Sequence, residues 1–288
     1  MDLTILAQLI VGGLLLGGVY ALAAAGLNLI FGVMRVVNVA HGDLMIMGAY
    51  LTFFIHDQFE LNPLLTLLVS APVLFVVGGA LQATLVRRVV GREPLMSLIL
   101  MWGLSILLIN LGLFFFTANY RSVPYFTGGI EIMGISISRS RGIAFIAALL
   151  LSLVVWLFLQ RTRWGKAIRA TAQSSEMARV CGINVARVRV LTFALAAAMA
   201  GAAGTLLVTF LPVTPGAGPS TLLRAFTIVV VGGLGSFLGA FIGALVIGVV
   251  EALSGFWLNT QVAEAVVYFT LIIFLLVRPG GLMRVVEE

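Results

Sequence analysis

Long apolar runs separated by short polar segments set the pattern of this chain. The runs cover residues 5–33, 39–56, 63–86, 95–117, 142–160, 190–211, 222–254 and 262–277. Most match the roughly 20 apolar residues that an α-helix needs to cross the hydrocarbon core of a bilayer. None has the short alternating segments of a transmembrane β-barrel. The pattern predicts an all-α polytopic membrane protein of about eight transmembrane helices, within a range of seven to nine. The run 222–254 is too long for one crossing and short for two. Gly232-Gly233-Leu234-Gly235-Ser236 breaks it in the middle. It reads either as a pair of short or re-entrant helices meeting at the glycines, or as two short, steeply packed spans. Irregular backbone at membrane depth is tolerated where protein buries it or where it lines a cavity.

Composition agrees with the pattern. Of 288 residues, 61% are hydrophobic and only 10% are charged, against about 25% charged in a soluble domain. The charges also fix an orientation. Arg35, then Arg87, Arg88 and Arg92, then seven basic residues between Arg161 and Arg189, then Arg278 and Arg284 fall in alternate loops. The opposite loops hold only Arg121, Arg139 and Arg141. The positive-inside rule puts the first set in the cytoplasm, the N-terminus outside and the C-terminus inside. The net charge of +6 is therefore a topology signal, and nothing in it points to nucleic acid. The single cysteine, Cys181, excludes an internal disulfide and a cysteine-based metal site. The N-terminal run lacks a basic n-region, so it reads as a retained helix rather than a signal peptide. With no linker and no convincing internal repeat, residues 1–288 read as one transmembrane domain.

Two loops stand out. Residues 161–189 carry seven of the seventeen Lys+Arg. Within them, 165–182 is rich in Ala and free of Pro, and so can be helical. A short helix held between spans on the basic side suits docking onto a cytoplasmic partner. Glu176, Ala178 and Gly182 have the spacing E-x-A-x-x-x-G: a small residue seats a helix in a groove and a glycine ends it in a left-handed turn. On the other face, GGIEIMGISIS within 118–141 has glycine turns and alternating Ile, the signature of a small hairpin. It is a connector or a docking rim.

Candidate chemistry inside the membrane is sparse. Asn38, His41 and Asp43 cluster where the first helix turns into the second. Polar groups at this depth are costly, and ionisable ones are functional candidates by default. Asn38 and Asp43 either cap the second helix near the cytoplasmic interface or, with His41 and Gly42, line a pathway or gate. Glycines recur along the first run, at Gly12, Gly13, Gly17, Gly18 and Gly26, and again at Gly235, Gly239, Gly243 and Gly248. Such spacing lets helices approach closely. Asn110, Arg224 and Glu251 also fall inside apolar runs. The last two are expected near the outer interface, with Arg224 snorkelling to it. No P-loop, HExxH, GxSxG or Cys/His cluster occurs, and Lys166 is the only lysine. Neither catalytic residues, nor a metal site, nor a cofactor is expected.

Taken together, GGVYAL, GLNLIFGV and NVAHGD near the start, TRWGKAIRA and EMARVCGINVARVRVLTFALAAAMAGAAG in the middle, and AFTIVVVGGLGSFLGAFIGALVIGVVEAL near the end resemble a known family. They are similar, over most of the chain and in order, to the LivH-type permease subunits of bacterial and archaeal ABC importers for branched-chain amino acids. Relatives in that family carry urea or short amides. The resemblance implies a non-catalytic permease in the cytoplasmic membrane. Its implied partners are a second, related permease, two cytoplasmic ABC ATPases and an external solute-binding protein. It implies an ATPase-coupling loop containing Gly165, Arg169, Ala170, Glu176, Ala178 and Gly182. It also implies a translocation pathway or gate among Tyr20, Asn28, Asn38, His41, Gly42, Asp43, Gly232, Gly233 and Gly235. Met177 departs from the general coupling motif, and that motif's Ile-x-Leu-Pro tail is absent. Without the resemblance, an ion-coupled secondary transporter or channel using Asp43, His41 or Glu251 stays open. An intramembrane enzyme has no visible nucleophile, base or metal constellation.

Overall fold

The computed structural model describes residues 3–132, 134–278 and 280–283. Its helices are α1 (Leu3–Met34), α2 (His41–Phe59), α3 (Pro63–Thr84), α4 (Pro94–Phe116), α5 (Arg139–Arg161), α6 (Arg163–Gln173), α7 (Ser175–Val180), α8 (Val185–Leu207), α9 (Gly218–Gly232), α10 (Phe237–Trp257) and α11 (Thr260–Val277). Between α4 and α5, strands β1 (Gly129–Ile132) and β2 (Ile135–Ser138) pair antiparallel, as the alternating isoleucines predict. Arg284, used above for orientation, lies outside the described residues. Among the described residues, α1, α3 with the 3-10 turn after it, α4, α5, α8 and α10 are long and apolar enough to cross a membrane.

The run 222–254 divides at its glycines. The first part, α9, has 15 residues, about 22 Å of helix, which is too short for the hydrocarbon core. The second, α10, has 21 residues and does span it. The broken pair is therefore one half-helix and one full helix.

α8 sits at the centre. Its sequence is mostly Ala, Gly and small polar residues, and nearly all of it is buried. That composition allows backbone-to-backbone contact, which lipid-embedded helices use in place of a hydrophobic driving force. A Cβ added at Gly204 would overlap the Met45 carbonyl of α2, and one at Gly48 would overlap Gly201. The glycines of α1 serve α10 in the same way: a Cβ on Gly13 would come within 2.7 Å of the Gly248 carbonyl. Hydroxyls add directional bonds. Thr52 donates to Thr205 at 2.8 Å, Thr66 to Thr52 at 3.2 Å, and Ser70 and Thr205 are 2.7 Å apart. This cluster fastens α2, α3 and α8 together. Around this core, α3, α4, α5 and α11 turn large apolar side chains outward, among them Leu68, Phe114, Leu150 and Leu276, as lipid-facing helices do.

A direct consequence concerns Gly204. Gly204→Ala drives a methyl into backbone that cannot yield like a side chain, at a cost of about 1–3 kcal/mol. Gly103→Ala on α4, where nothing lies within 4 Å of the added Cβ, carries no such cost and gains up to about 1 kcal/mol of helix propensity. Thermal unfolding of the two purified variants in one detergent separates them; equal melting temperatures would refute this packing.

Candidate functional site

The chain reverses inside the membrane twice. After Met34, residues 35–40 leave the helix and climb back along α1, because Nε2 of His41 donates to the Ala23 carbonyl at 2.9 Å. Ala23 lies about 16 Å back from Met34 along the helix axis. Gly26 makes the approach possible, since a Cβ there would sit 3.2 Å from the imidazole Cε1. α2 thus begins deep inside the protein. The segment after α8 does the same from the other face. Val213 bridges Arg121, its carbonyl accepts from the Tyr50 hydroxyl at 3.3 Å, and Pro215 packs on Gly112 of α4. α9 then starts at Gly218, and side chains added at Gly42 or Gly218 would overlap Gly218 or Asp43 respectively. Two helix N-termini therefore meet at one buried point.

The polar side chains at this junction have few protein partners. Asn38, His41 and Asp43 are all at most 2% exposed. Both polar atoms of the Asn38 amide and Nδ1 of His41 lack a hydrogen-bond partner among the described residues, and the Asp43 carboxylate makes no well-formed bond although the Ser105 hydroxyl of α4 lies close to it. The expectation that Asn38 and Asp43 cap α2 is corrected: its N-cap is Ala40, with no side-chain cap bond, and the residues at its start are buried in the protein. The Asp43 carboxylate instead packs on Gly218, where the first-turn N–H groups of α2 and α9 favour a negative charge.

Asn28 has a different place. Its Nδ2 donates to Ser236 O at 2.7 Å and Gly233 O at 3.4 Å, and its Oδ1 accepts from Gly235 N at 2.6 Å. It clamps the turn joining α9 to α10. Gly233 and Gly235 have φ of 113° and 85°, the left-handed region open to glycine. Gly232 lets α10 approach, for a Cβ there would overlap Gly239. Sequence reasoning put Asn28 and these glycines with Asn38, His41 and Asp43; in the structure they form a second cluster at the other end of α9.

A third cluster was only half seen in the sequence. Arg224 of α9 contacts Glu251 of α10 at 3.2 Å and also pairs with Glu264 of α11. The Tyr20 hydroxyl of α1 reaches Glu251 at 3.5 Å. Arg224 is the cation of a partly buried network rather than an isolated charge. Glu264 was missed, although an acid just inside an apolar run was the available signal. Asn110 bonds only within its own helix, to the Ile106 carbonyl.

The basic loop forms two short helices rather than one. Thr162 caps α6 by accepting from Gly165 N at 2.9 Å. Gly165 folds α6 tightly against α5, since a Cβ would overlap the Phe158 and Leu159 carbonyls. Ser174 breaks the helix and caps α7. Gly182 ends the pair with φ 79°, and Ile183 N bonds to Ala178 O at 2.9 Å, the glycine-terminated turn expected from its position. Ile168, Thr171 and Ala178 face inward, while Arg169, Glu176, Met177, Arg179, Val180 and Gly182 face out, with Ala170 at the boundary.

Residues 9–276 match the family model described as the permease component of the branched-chain amino acid transport system. The chain belongs to this family. It is 35% identical to the high-affinity branched-chain amino acid transport system permease protein LivH of Salmonella typhimurium, over 96% of this chain and 94% of that one. It is 31% identical to the BraD permease of Pseudomonas aeruginosa, over 96% and 95%. The probable LivH permease of Methanocaldococcus jannaschii is 28% identical over 94% and 88%. These matches take in all three polar clusters and the α6–α7 loop. The chain is a membrane-embedded permease component with several spans.

The charge network yields a test of its own. Removing the cation leaves two acids facing one another, so Arg224→Met costs about 3–5 kcal/mol. Adding Glu251→Gln to it recovers part of that loss. Thermal unfolding of both variants checks this; a double variant no more stable than the single would mean the acids do not depend on Arg224.

Proposed function

We propose that this chain is the membrane-spanning, non-catalytic subunit of an ABC importer that carries branched-chain amino acids inward. It forms one domain, works beside a second, related permease, and is driven by two cytoplasmic ATPases. An external solute-binding protein delivers the substrate. The N-terminus faces outward and the α6–α7 loop inward, in line with the distribution of arginines. Family membership supports the transport role, and the relatives' printed substrates support the amino-acid class.

The observation that carries the coupling role is the two-sidedness of α6 and α7. One side is anchored through Gly165, Ile168, Thr171 and Ala178. The other presents Met177 and Val180, 62% and 77% exposed, beside Glu176 and Arg179. Exposed apolar groups ringed by charges, outside the bilayer, suit a protein partner. The gate is the meeting of α2 and α9 at Gly42, Asp43 and Gly218. α9 links it to the glycine turn that Asn28 of α1 holds, and α6 packs on α1. A cavity of about 290 Å³ between them is lined by Asn28, Gly235, Ser236, Ile168 and Arg169. A push on α6 therefore has a short route to the gate.

Purification from native membranes tests the assembly. The parent should bring down an ATPase and a second permease. Met177→Lys with Val180→Asp should lose the ATPase and keep the permease; a chain that purifies alone and still moves leucine without ATP would overturn the reading. Asn28→Ala tests transmission. It should keep its partners and hydrolyse ATP while leucine uptake per ATP falls about tenfold, within the usual span of coupling free energies. Uptake and hydrolysis falling together would put Asn28 outside the transmission route.

A further inference from the structure

A second cavity lies on the opposite face, where α1 and α5 both begin. It holds about 360 Å³, between Gln8, Gly12 and Leu15 of α1, the hairpin residues Ser136 and Ser138, and Arg141 of α5. No residue of the three polar clusters or of the α6–α7 loop lines it, and the transport reading makes no use of it.

Its depth and chemistry belong together. α1 has 32 residues, about 48 Å of helix, so it overshoots a hydrocarbon core of about 30 Å and reaches into both headgroup layers. Gln8 lies in its second turn, and Arg141 is the third residue of α5. Both stand at the level where phospholipid headgroups meet the acyl chains. Gly12 makes the room: a Cβ there would lie 3.7 Å from a guanidinium nitrogen of Arg141. The guanidinium also stands 6.0 Å over the Phe210 ring. Among the described residues Arg141 has no acidic partner, because the ion pairs of the chain all involve Arg224. Ser138, the N-cap of α5, makes no cap bond with its side chain. Glu131, opposite Ser136 in the hairpin register, does not line the cavity. An unpaired guanidinium and an amide thus border a space that Val11, Leu15 and the strand 136–138 also line, with Ile137 on the inward side of the hairpin and Ser136 and Ser138 on the exposed side. Arginine recognises phosphate oxygens with two parallel bonds, and the apolar lining continues toward the acyl chains.

We propose that this cavity is a specific site for the phosphate of a membrane glycerophospholipid, held by Arg141 with Gln8. The bound lipid fills the gap between α1 and the hairpin and ties the hairpin to the bundle.

Native mass spectrometry of the full-length chain, purified with its accompanying subunits and exposed to phosphatidylglycerol micelles, tests this. The parent should keep one phospholipid under activation that strips the rest. Arg141→Gln should keep it about tenfold less, the loss expected for a hydrogen bond to a charged group. Arg139→Gln, an exposed arginine outside the lining, should match the parent. Gly12→Leu fills the cavity while sparing the guanidinium, and should also lose the lipid, which carries the test if Arg141→Gln fails to fold. Equal retention by the parent and by Gly12→Leu would overturn the proposal. So would displacement of the lipid by millimolar inorganic phosphate, which would make the cavity a small-anion site.

Discussion

Two helices of this permease start inside the bilayer, and each leaves its first-turn N–H groups without partners in its own helix. Lipid offers nothing to satisfy them, so the protein must enclose both ends. It does so by bringing them together. Gly42 and Gly218 remove the side chains that would hold α2 and α9 apart, and the Asp43 carboxylate sits where both positive helix ends point. The rest of the fold follows from this junction. α8 must carry small residues such as Gly201 and Gly204 on the face where α2 lies. The segment before α9 must dip between α2 and α4 to deliver Gly218. α1 needs Gly26 so that His41 can anchor the returning chain.

The remaining buried polar groups are arranged along α9. At its start stands Asp43, in its second turn Arg224 with Glu251 and Glu264, and at its end the turn held by Asn28. A buried ion pair adds little net stability against an apolar alternative. What Arg224 does provide is a fixed relation of α9 to α10 and α11, because leaving either acid unpaired is costly. Asn28 does the same at the other end with neutral bonds. α9 is thereby tied to its neighbours at both ends and between them. Under the proposed function, that makes it a rigid connection rather than a loose segment between gate and coupling loop.

Much of this was legible in the sequence, and the limits have physical causes. Apolar runs located every long helix, because lipid permits few alternatives to a helix of that length. Gly232 to Ser236 marked the break. Gly182 marked the end of the basic loop's helix pair, because a left-handed residue there favours glycine. The ion network was not legible as a network: Arg224, Glu251 and Glu264 lie far apart in the chain, and only the antiparallel packing of α9, α10 and α11 brings them together. Asn28 looked like a member of the Asn38–His41–Asp43 group because it is close to them in sequence. The nine residues between Asn28 and Asn38 include the end of α1 and the start of the chain reversal, so sequence distance misjudged its place. Depth was the hardest quantity to read. A run of apolar residues gives a helix its length but not its starting level, and α2 starts where a contact to Ala23 sets it.

That contact bears on why the junction keeps unpaired polar atoms at all. A purely structural start for α2 would be cheaper with apolar residues at positions 38, 41 and 43, since each buried polar atom without a partner costs about 1–3 kcal/mol. His41 uses one nitrogen for the Ala23 carbonyl and leaves the other free; Asn38 and Asp43 spend nothing on capping. Stability alone does not account for three such residues at one point. Under the proposed function, a site that exchanges its partners would account for them: groups left open here would be satisfied when α2 and α9 separate and a zwitterionic solute passes between them. The small number of charges elsewhere in the spans fits the same view. A pathway that bound its solute strongly would hold it, whereas a few polar atoms, buried when the gate is shut, supply transient partners and no deep trap.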